Sequence, residues 1–464
     1  MGRVSHFGAG ATEGTAACPY FHAVTNRPVV TSRWNTSPST RSPWIRKNAR
    51  LHKLAQIKQI ARSIEAFAFN VPILIDRDSK ILAGHGRVLA CRQLGWSEVP
   101  VIRLEHLTPE QARAFAIADN RLAETSSWNE ALLAEHFKLL SEIDLDFDLE
   151  ATGFTVGEID LKIIGIDDTG EEEPDEALPS DGPPITRTGE LWQLGRHKLL
   201  CGDSLSPASY SRLLGDERAA MVFTDPPYNV PINGHVSGKG KTRHREFPMA
   251  SGEMSEAEFI AFLTKVCGLM AEASSDGALH YICMDWAHLF SLLTAGRVTY
   301  DALLNICVWA KPNGGMGGLY RSAHELVAVF KHGQGRHRNN VELGRFGRNR
   351  TNVWHYPGSN SFARSEDSDL TAQHPTPKPV AMIADAILDA TARRDIVLDP
   401  FLGSGSTLIA AGRVGRNCRG IEMDPLYVDL TIRRWQRLTG EQAVRDDGTA
   451  FDTLLANTDL AVTQ

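Results

Sequence analysis

The sequence predicts an α/β fold in which a larger domain, built on a mostly parallel sheet, follows a smaller α+β domain. Three observations carry this. From about residue 187 to 440, short apolar runs alternate with helical stretches, the pattern of strand–helix–strand units. Within that span one strand ends in an acid and a glycine-rich turn, and a second acid-ended strand follows one helix later. Ahead of it lies an acidic, proline-containing stretch, EEEPDEALPSDGPP (171–184), the best boundary in the chain.

The 464 residues divide into five parts. Residues 1–44 are rich in Thr, Ser, Gly, Asn and Pro without periodicity and are expected to form a disordered arm. A domain over 45–165 begins with LHKLAQIKQIARSIEAF (51–67), spaced as an amphipathic helix. VPILID (71–76) and VPVIRL (99–104) are expected strands, and GHGRVLACRQLG (84–95) is a turn into a helix that ends at Gly95. LTPEQARAFAIADNRLAE (107–124) opens on a Thr cap with proline in its first turn. NEALLAEHFKLLSEI (129–143) is a further amphipathic helix. The linker, 166–186, holds eight acids and no Lys or Arg. The larger domain, 187–440, opens with a hairpin over GELWQLGRHKLLCGDSL (189–205). Its strands follow at AAMVFTD, GALHYICM, LLNICVWAK, ELVAVFKH, DIVLDP and CRGIEMD. Residues 441–464 are polar and are expected to be a loosely held tail. No internal repeat, helix-turn-helix signature or restriction-nuclease signature stands out.

Composition excludes several classes. With 42% hydrophobic and 23% charged residues, the chain can bury sizeable cores. No stretch approaches ~20 uninterrupted apolar residues, and the N-terminus lacks an apolar core behind its charge. A membrane span and a secretory signal are therefore not expected, and the expected compartment is the cytoplasm. Seven cysteines (Cys18, Cys91, Cys201, Cys267, Cys283, Cys307, Cys418) form no CxxC pair and are odd in number, which suits reduced, buried thiols. The net charge of −7 is uneven: over 187–440, 29 Lys and Arg stand against 25 Asp and Glu. Local charge therefore does not exclude a nucleic-acid partner.

Two stretches carry chemistry. In IVLDPFLGSGSTLIAA (396–411) a strand ends at Asp399, and Gly403 and Gly405 permit a tight turn and close approach of backbone to a ligand. Seventeen residues after Gly405 comes Glu422, in RGIEMD, placed to accept both hydroxyls of a ribose. A dinucleotide and S-adenosylmethionine both fit such a unit. The GSGS turn and an acid beside it disfavour a diphosphate, since like charges repel, and suit a cofactor with a cationic amine. The other stretch is TDPPYNV (224–230), behind the apolar run AAMVF. Two prolines end the strand and set Asp225 and Tyr228 on a rigid step.

TDPPYNV, LDPFLGSGS and GIEMD together closely resemble the amino-methylating DNA methyltransferases, and the order of the motifs resembles the family's β group. VWAKPNGG (308–315), YRSAHELVAVF (320–330) and HPTPKPV (374–380) agree with it. The resemblance spans roughly 187–440. It implies a Rossmann-like, S-adenosylmethionine-dependent methyltransferase domain with a catalytic step at Asp225, Pro226, Pro227 and Tyr228. It implies cofactor contacts at Asp203 (in CGDSL), Lys378, Asp399, Phe401, Gly403, Gly405 and Glu422, with no metal. An acid at the first position of the step goes mostly with adenine N6 in the family, and serine with cytosine N4. Site-specific adenine N6 methylation of DNA is therefore the favoured reading. A cytosine N4 enzyme, or a DNA-binding regulator with an inactive methylase half, are the alternatives.

Basic segments flank the step. NGHVSGKGKTRHREF (233–247) offers Lys239, Lys241 and Arg243, and RHRNNVELGRFGRNR (336–350) offers Arg345 and Arg348 among five arginines, with Asn339, Asn340 and Gln334 nearby. Arginine clamps phosphate and reads guanine, and asparagine can read adenine edges. Residues 45–165 resemble the ParB-like (ParB/sulfiredoxin) domain, with Gly84, His85, Gly86 and Arg87 at the mouth of a helix as the carried-over phosphate or nucleotide box. The expected partner is double-stranded DNA, with no membrane. A homodimer and a nucleotide at the N-terminal domain are left open.

Overall fold

The structure, a computed structural model, describes residues 30–33, 52–124, 127–143, 145–167, 183–230, 252–311, 319–341, 350–356 and 378–462. The chain divides into a smaller unit (1–128 with 146–153) and a larger one (129–145 with 154–464).

The smaller unit is α+β. Strands β1 (Val30–Arg33), β2 (Ile73–Ile75), β3 (Ile81–Ala83) and β4 (Glu98–Arg103) form a sheet of order β1-β4-β2-β3. Helices α1 (Leu54–Phe67), α2 (His85–Gln93) and α3 (Pro109–Glu124) accompany it. The apolar spacing of α1 turns Ile57, Ala61 and Ile64 inward onto Ile73, Ile75, Val99 and Val101. The strands and helices expected over 51–124 are present. The disordered arm over 1–44 lies outside the described residues except at β1. There the expectation is corrected, because Val30–Arg33 pair antiparallel with β4 and so satisfy their backbone groups.

The larger unit starts with α4 (Glu130–Glu142) and α5 (Val156–Asp167), ahead of the acidic stretch at 166–186. Asp160 of α5 is 1% exposed and takes two hydrogen bonds from Arg416, at 2.9 and 2.7 Å, and one from Arg393 at 3.0 Å. The remaining strands are β5 (Leu191–Leu194), β6 (His197–Cys201), β7 (Ala219–Thr224), β8 (Ser274–Met284), β9 (Ala302–Ala310), β10 (His324–Lys331), β11 (Val353–His355), β12 (Ile396–Asp399), β13 (Asn417–Glu422) and β14 (Val444–Arg445). They form one ten-stranded sheet of order β11-β9-β10-β8-β7-β12-β13-β6-β5-β14. Its centre, β8-β7-β12-β13-β6, is parallel throughout. The neighbours β10 and β5 join it antiparallel.

Alternation along the central strands builds two cores. Met221, Phe223, Val397 and Leu199 face α9 (Val380–Ala390), α10 (Ser406–Arg413) and α11 (Pro425–Thr439). Val222, Leu398 and Leu200 face α6 (Pro207–Leu214), α7 (Glu256–Glu272) and α8 (Leu289–Thr299). Helices on both faces require near-continuous apolar strands, which is what the sequence shows. The loosely held tail is corrected. β14 pairs with β5, and Phe451, the first residue of α12 (Phe451–Val462), is fully buried with its ring 5.5 Å from that of Trp192. The strand pairing and this aromatic anchor together hold the polar segment.

Candidate active site

The central parallel strands place an acid at or just beyond their C-terminal ends: Asp225 after β7, Asp399 on β12, Glu422 on β13 and Asp203 after β6. The chain leaves β7 toward β8 and leaves β12 toward β13, so the strand order reverses between β7 and β12. Parallel α/β sheets bind ligands in the crevice at that reversal.

On the β12 side, Gly403 and Gly405 have φ of 55° and 86°, the left-handed region that glycine enters freely. A Cβ on Gly405 would meet Thr431 at 2.7 Å, whereas one on Gly403 would meet nothing within 4 Å. The turn is thus packed behind and open in front. Both oxygens of Glu422 are aligned by backbone, accepting from Gly403 N and Asp424 N at 2.8 Å each. Burial nevertheless pushes the Glu422 carboxyl up to about 7. Asp399 accepts from Thr224 Oγ1 at 2.8 Å and Phe401 N at 3.1 Å, and burial pushes it up to about 6. The Phe401 ring lies 6.2 Å from that of Phe262. Asp203 is exposed and accepts from Leu205 N at 2.8 Å, one residue past Gly202, whose N–H donates to the Glu422 carbonyl. Three carboxylates around an open glycine turn suit hydroxyls and an ammonium and repel phosphate. They fit S-adenosylmethionine.

On the β7 side, Tyr228 Oη donates to Asp225 Oδ1 at 2.5 Å, and burial raises the phenol well above its ordinary value. Lys378, just ahead of α9, donates to Asp225 Oδ2 at 2.5 Å and pairs with Glu325 Oε2 of β10 at 2.9 Å. Lys311 closes the chain of charges on Glu325 Oε1. Asn229, with φ 55°, accepts from Gly252 N and Met254 N at 3.1 and 3.2 Å and donates to the Met254 carbonyl at 2.8 Å. It ties the end of the step to Gly252 and Met254, just ahead of α7.

The structure therefore brings together Asp225, Pro226, Pro227 and Tyr228 on one step. Asp203, Asp399, Phe401, Gly403, Gly405 and Glu422 lie along the neighbouring strand ends. Lys378 stands on the step's carboxylate. Lys239, Lys241, Arg243, Arg345 and Arg348 lie outside the described residues. Two members of the second basic stretch turn inward. Asn340 is 7% exposed and donates to the carbonyls of Leu388 and Thr391, which corrects its expected role on base edges. Arg350 is held by Asp385 and Asp389 at 3.0 Å each. In the smaller unit, Gly84 caps α2 at φ 100°, and a Cβ on Gly86 would meet Ile60 at 2.9 Å. His85 follows Gly84 as the first residue of α2, and Arg87 donates to the Val71 carbonyl at 2.9 Å.

Sequence reasoning did not assign Glu325, Lys311 or Asn229. The signals are slight: one acid opening an otherwise apolar strand, and an asparagine where a left-handed residue follows two prolines.

Residues 219–433 match the DNA methylase family, and 131–188 match the ParB-methyltransferase HTH domain. The second match corrects the expectation that no helix-turn-helix stands out; it covers α4 and α5. The chain is 26% identical over 231 residues to the type II methyltransferase M2.MboI of Moraxella bovis, covering 48% of this chain and 83% of that one. Among solved structures, PvuII DNA methyltransferase (cytosine-N4-specific) is similar at 16% identity and TM-score 0.41, covering 60% of this chain and 94% of that one. The M1.HpyAVI–S-adenosylmethionine complex is similar at 18% identity and TM-score 0.36, covering 51% and 98%. Over residues 219–433 the larger unit thus matches the DNA methylases of the N6/N4 class, an S-adenosylmethionine-dependent family whose cofactor its site fits.

Proposed function

We propose that the larger unit moves a methyl group from S-adenosylmethionine to the N6 amine of an adenine turned out of double-stranded DNA. The observation that carries this is the placement of the Asp225–Tyr228 step one strand away from the glycine turn and two from Glu422, at the same C-terminal ends of the parallel strands. When bound, S-adenosylmethionine supplies an already activated methyl group, so neither a metal nor a covalent nucleophile is required. Glu422 holds the ribose hydroxyls, Asp203 the adenine end, and Asp399 the methionine amine, with Phe401, Gly403 and Gly405 shaping the turn.

An exocyclic amine is a weak nucleophile because its lone pair is shared with the ring, and it is out of reach inside a duplex. Asp225 and the Pro226 carbonyl accept its two hydrogens. Two acceptors set tetrahedrally favour the pyramidal amine and aim its lone pair. Pro226 and Pro227 fix these acceptors before the base arrives, so no rearrangement is needed during transfer. Tyr228, tethered by its hydroxyl to Asp225, offers its ring to the base, a stacking worth ~1–3 kcal/mol. The acid at position 225, where cytosine N4 relatives mostly carry serine, favours adenine.

Incubation with labelled S-adenosylmethionine and mixed DNA, followed by nucleoside analysis, tests the reading. N6-methyladenine supports it, N4-methylcytosine overturns the base, and the lack of any methylated nucleoside overturns the activity. Asp225→Ala lowers methyl transfer by at least ~10²–10³-fold while calorimetry shows cofactor binding retained. The DNA face is proposed at Lys239, Lys241, Arg243, Arg345 and Arg348. Charge reversal at Arg345 and Arg348 weakens DNA binding and lowers its salt slope by ~1 per lost phosphate contact. Unaltered binding across salt concentrations would place the DNA elsewhere.

A further inference from the structure

Lys378 stands where cofactor contact is expected, yet its ammonium is spent elsewhere. Its three donors meet three acceptors: Asp225 Oδ2 at 2.5 Å, Glu325 Oε2 at 2.9 Å and Tyr228 Oη at 3.4 Å. The side chain is 9% exposed, against 17% for Glu325 and 36% for Asp225. Lys311 pairs with the second oxygen of Glu325, so two acids and two ammonium groups balance within one partly buried cluster.

We propose that Lys378 is a positioning residue for the base-amine acceptor: bridging Asp225 and Glu325, it holds the Asp225 carboxylate in the orientation that receives the amine when a base covers it. This rests on the reading of Asp225 given above and extends it to a side chain that never touches the base. The need is physical. A flipped base removes water from Asp225, and a carboxylate stripped of water is costly to hold in place unless a cation stands beside it. A carboxylate turned away from the amine would no longer accept its hydrogen, and the acceptor would be lost. Glu325 holds Lys378 in place, and Lys311 offsets the charge of Glu325. Burial by itself would lower the Lys378 ammonium, but Asp225 and Glu325 outweigh it and raise it, so Lys378 stays charged across the working range. Among the described residues, the other titratable groups facing Asp225 are Tyr228 on its own step, Cys283 on β8 and Asp399 on β12.

The test is a methylation series on the full chain, with S-adenosylmethionine affinity read in parallel by calorimetry. Lys378→Met lowers kcat by about 10²-fold while cofactor affinity stays within about twofold, and Lys378→Arg restores most of the rate. An unaltered kcat in Lys378→Met overturns the inference, and cofactor affinity lowered about tenfold there makes Lys378 a cofactor ligand instead. If Lys378→Met does not fold, Glu325→Gln loosens Lys378 without removing it, and kcat should fall while cofactor affinity holds; an unaltered kcat in that variant overturns the inference. If the unaltered chain methylates no DNA, the proposed function fails; if it methylates DNA and Lys378→Met is as fast, only this inference fails.

Discussion

Glu422 shows two opposing effects on one carboxyl. Two backbone N–H groups favour its charged form, but loss of water outweighs them and lifts it to about 7. The sign for cofactor binding follows. In its proposed role as acceptor of two ribose hydroxyls, Glu422 works as the anion, and the free site binds a proton below about 7. Cofactor affinity should therefore be level above pH 7 and fall as the pH drops, by at most about tenfold per unit. Below about 6 the Asp399 carboxyl protonates as well and steepens the fall. Calorimetric titrations of S-adenosylmethionine between pH 8 and 5.5 check this, and a flat profile would remove both carboxyls from the cofactor. Glu422 and Asp399 were legible in the sequence because each ends an apolar strand at a spacing set by one βαβ unit. Glu325 was not, because its role depends on β10 lying two strands from β7, and strand order is written in no local pattern.

At the scale of elements, the expected strands of both units are present, because burial on both faces or on alternate faces leaves a periodic trace. What escaped were the pieces whose position rests on one or two residues. α5 escaped in this way. An acid within an amphipathic stretch reads as a solvated face, yet Asp160 is sealed against Arg416 and Arg393. The Arg416 side chain is itself fully buried, so each partner is the other's replacement for water. Removing one member of such a pair leaves a buried charge without compensation. Asp160→Ala should cost about 3–5 kcal/mol in denaturant unfolding of the larger unit. The double variant Asp160→Leu, Arg416→Met should recover much of that, because it removes both charges. A loss under ~1 kcal/mol in the single variant would mean that α5 is held by its apolar contacts alone.

Across the whole molecule, acid stability turns on histidines sealed in the larger unit's two cores. His197 of β6 is 7% exposed, and its Nδ1 accepts from Cys418 N at 2.9 Å. Burial, then the positive charges of Arg419 and Arg196, push it down to about 4. His280 of β8 is fully buried between Tyr300 Oη at 2.9 Å and Ser274 Oγ at 3.0 Å and is pushed down to about 3, mainly by burial. A histidine whose folded value lies below 6.5 favours the neutral ring. Its contribution is complete above pH 6.5 and is lost as the pH falls toward 4 for His197 and toward 3 for His280. Asp399 and Glu422 act with the opposite sign. Their raised values disfavour the folded state at high pH, and that cost is relieved between about 7 and the ordinary carboxyl range. The two effects offset each other in part just below neutrality, and the histidines dominate further down. His197→Asn keeps an acceptor near the Cys418 N–H but cannot take up the proton. Its unfolding free energy, measured in urea at pH 7 and pH 4.5, should therefore fall less than that of the unaltered chain, by ~2–3 kcal/mol. Parallel losses in the two proteins would show that His197 does not govern the acid limb, leaving it to His280 and the surface carboxylates.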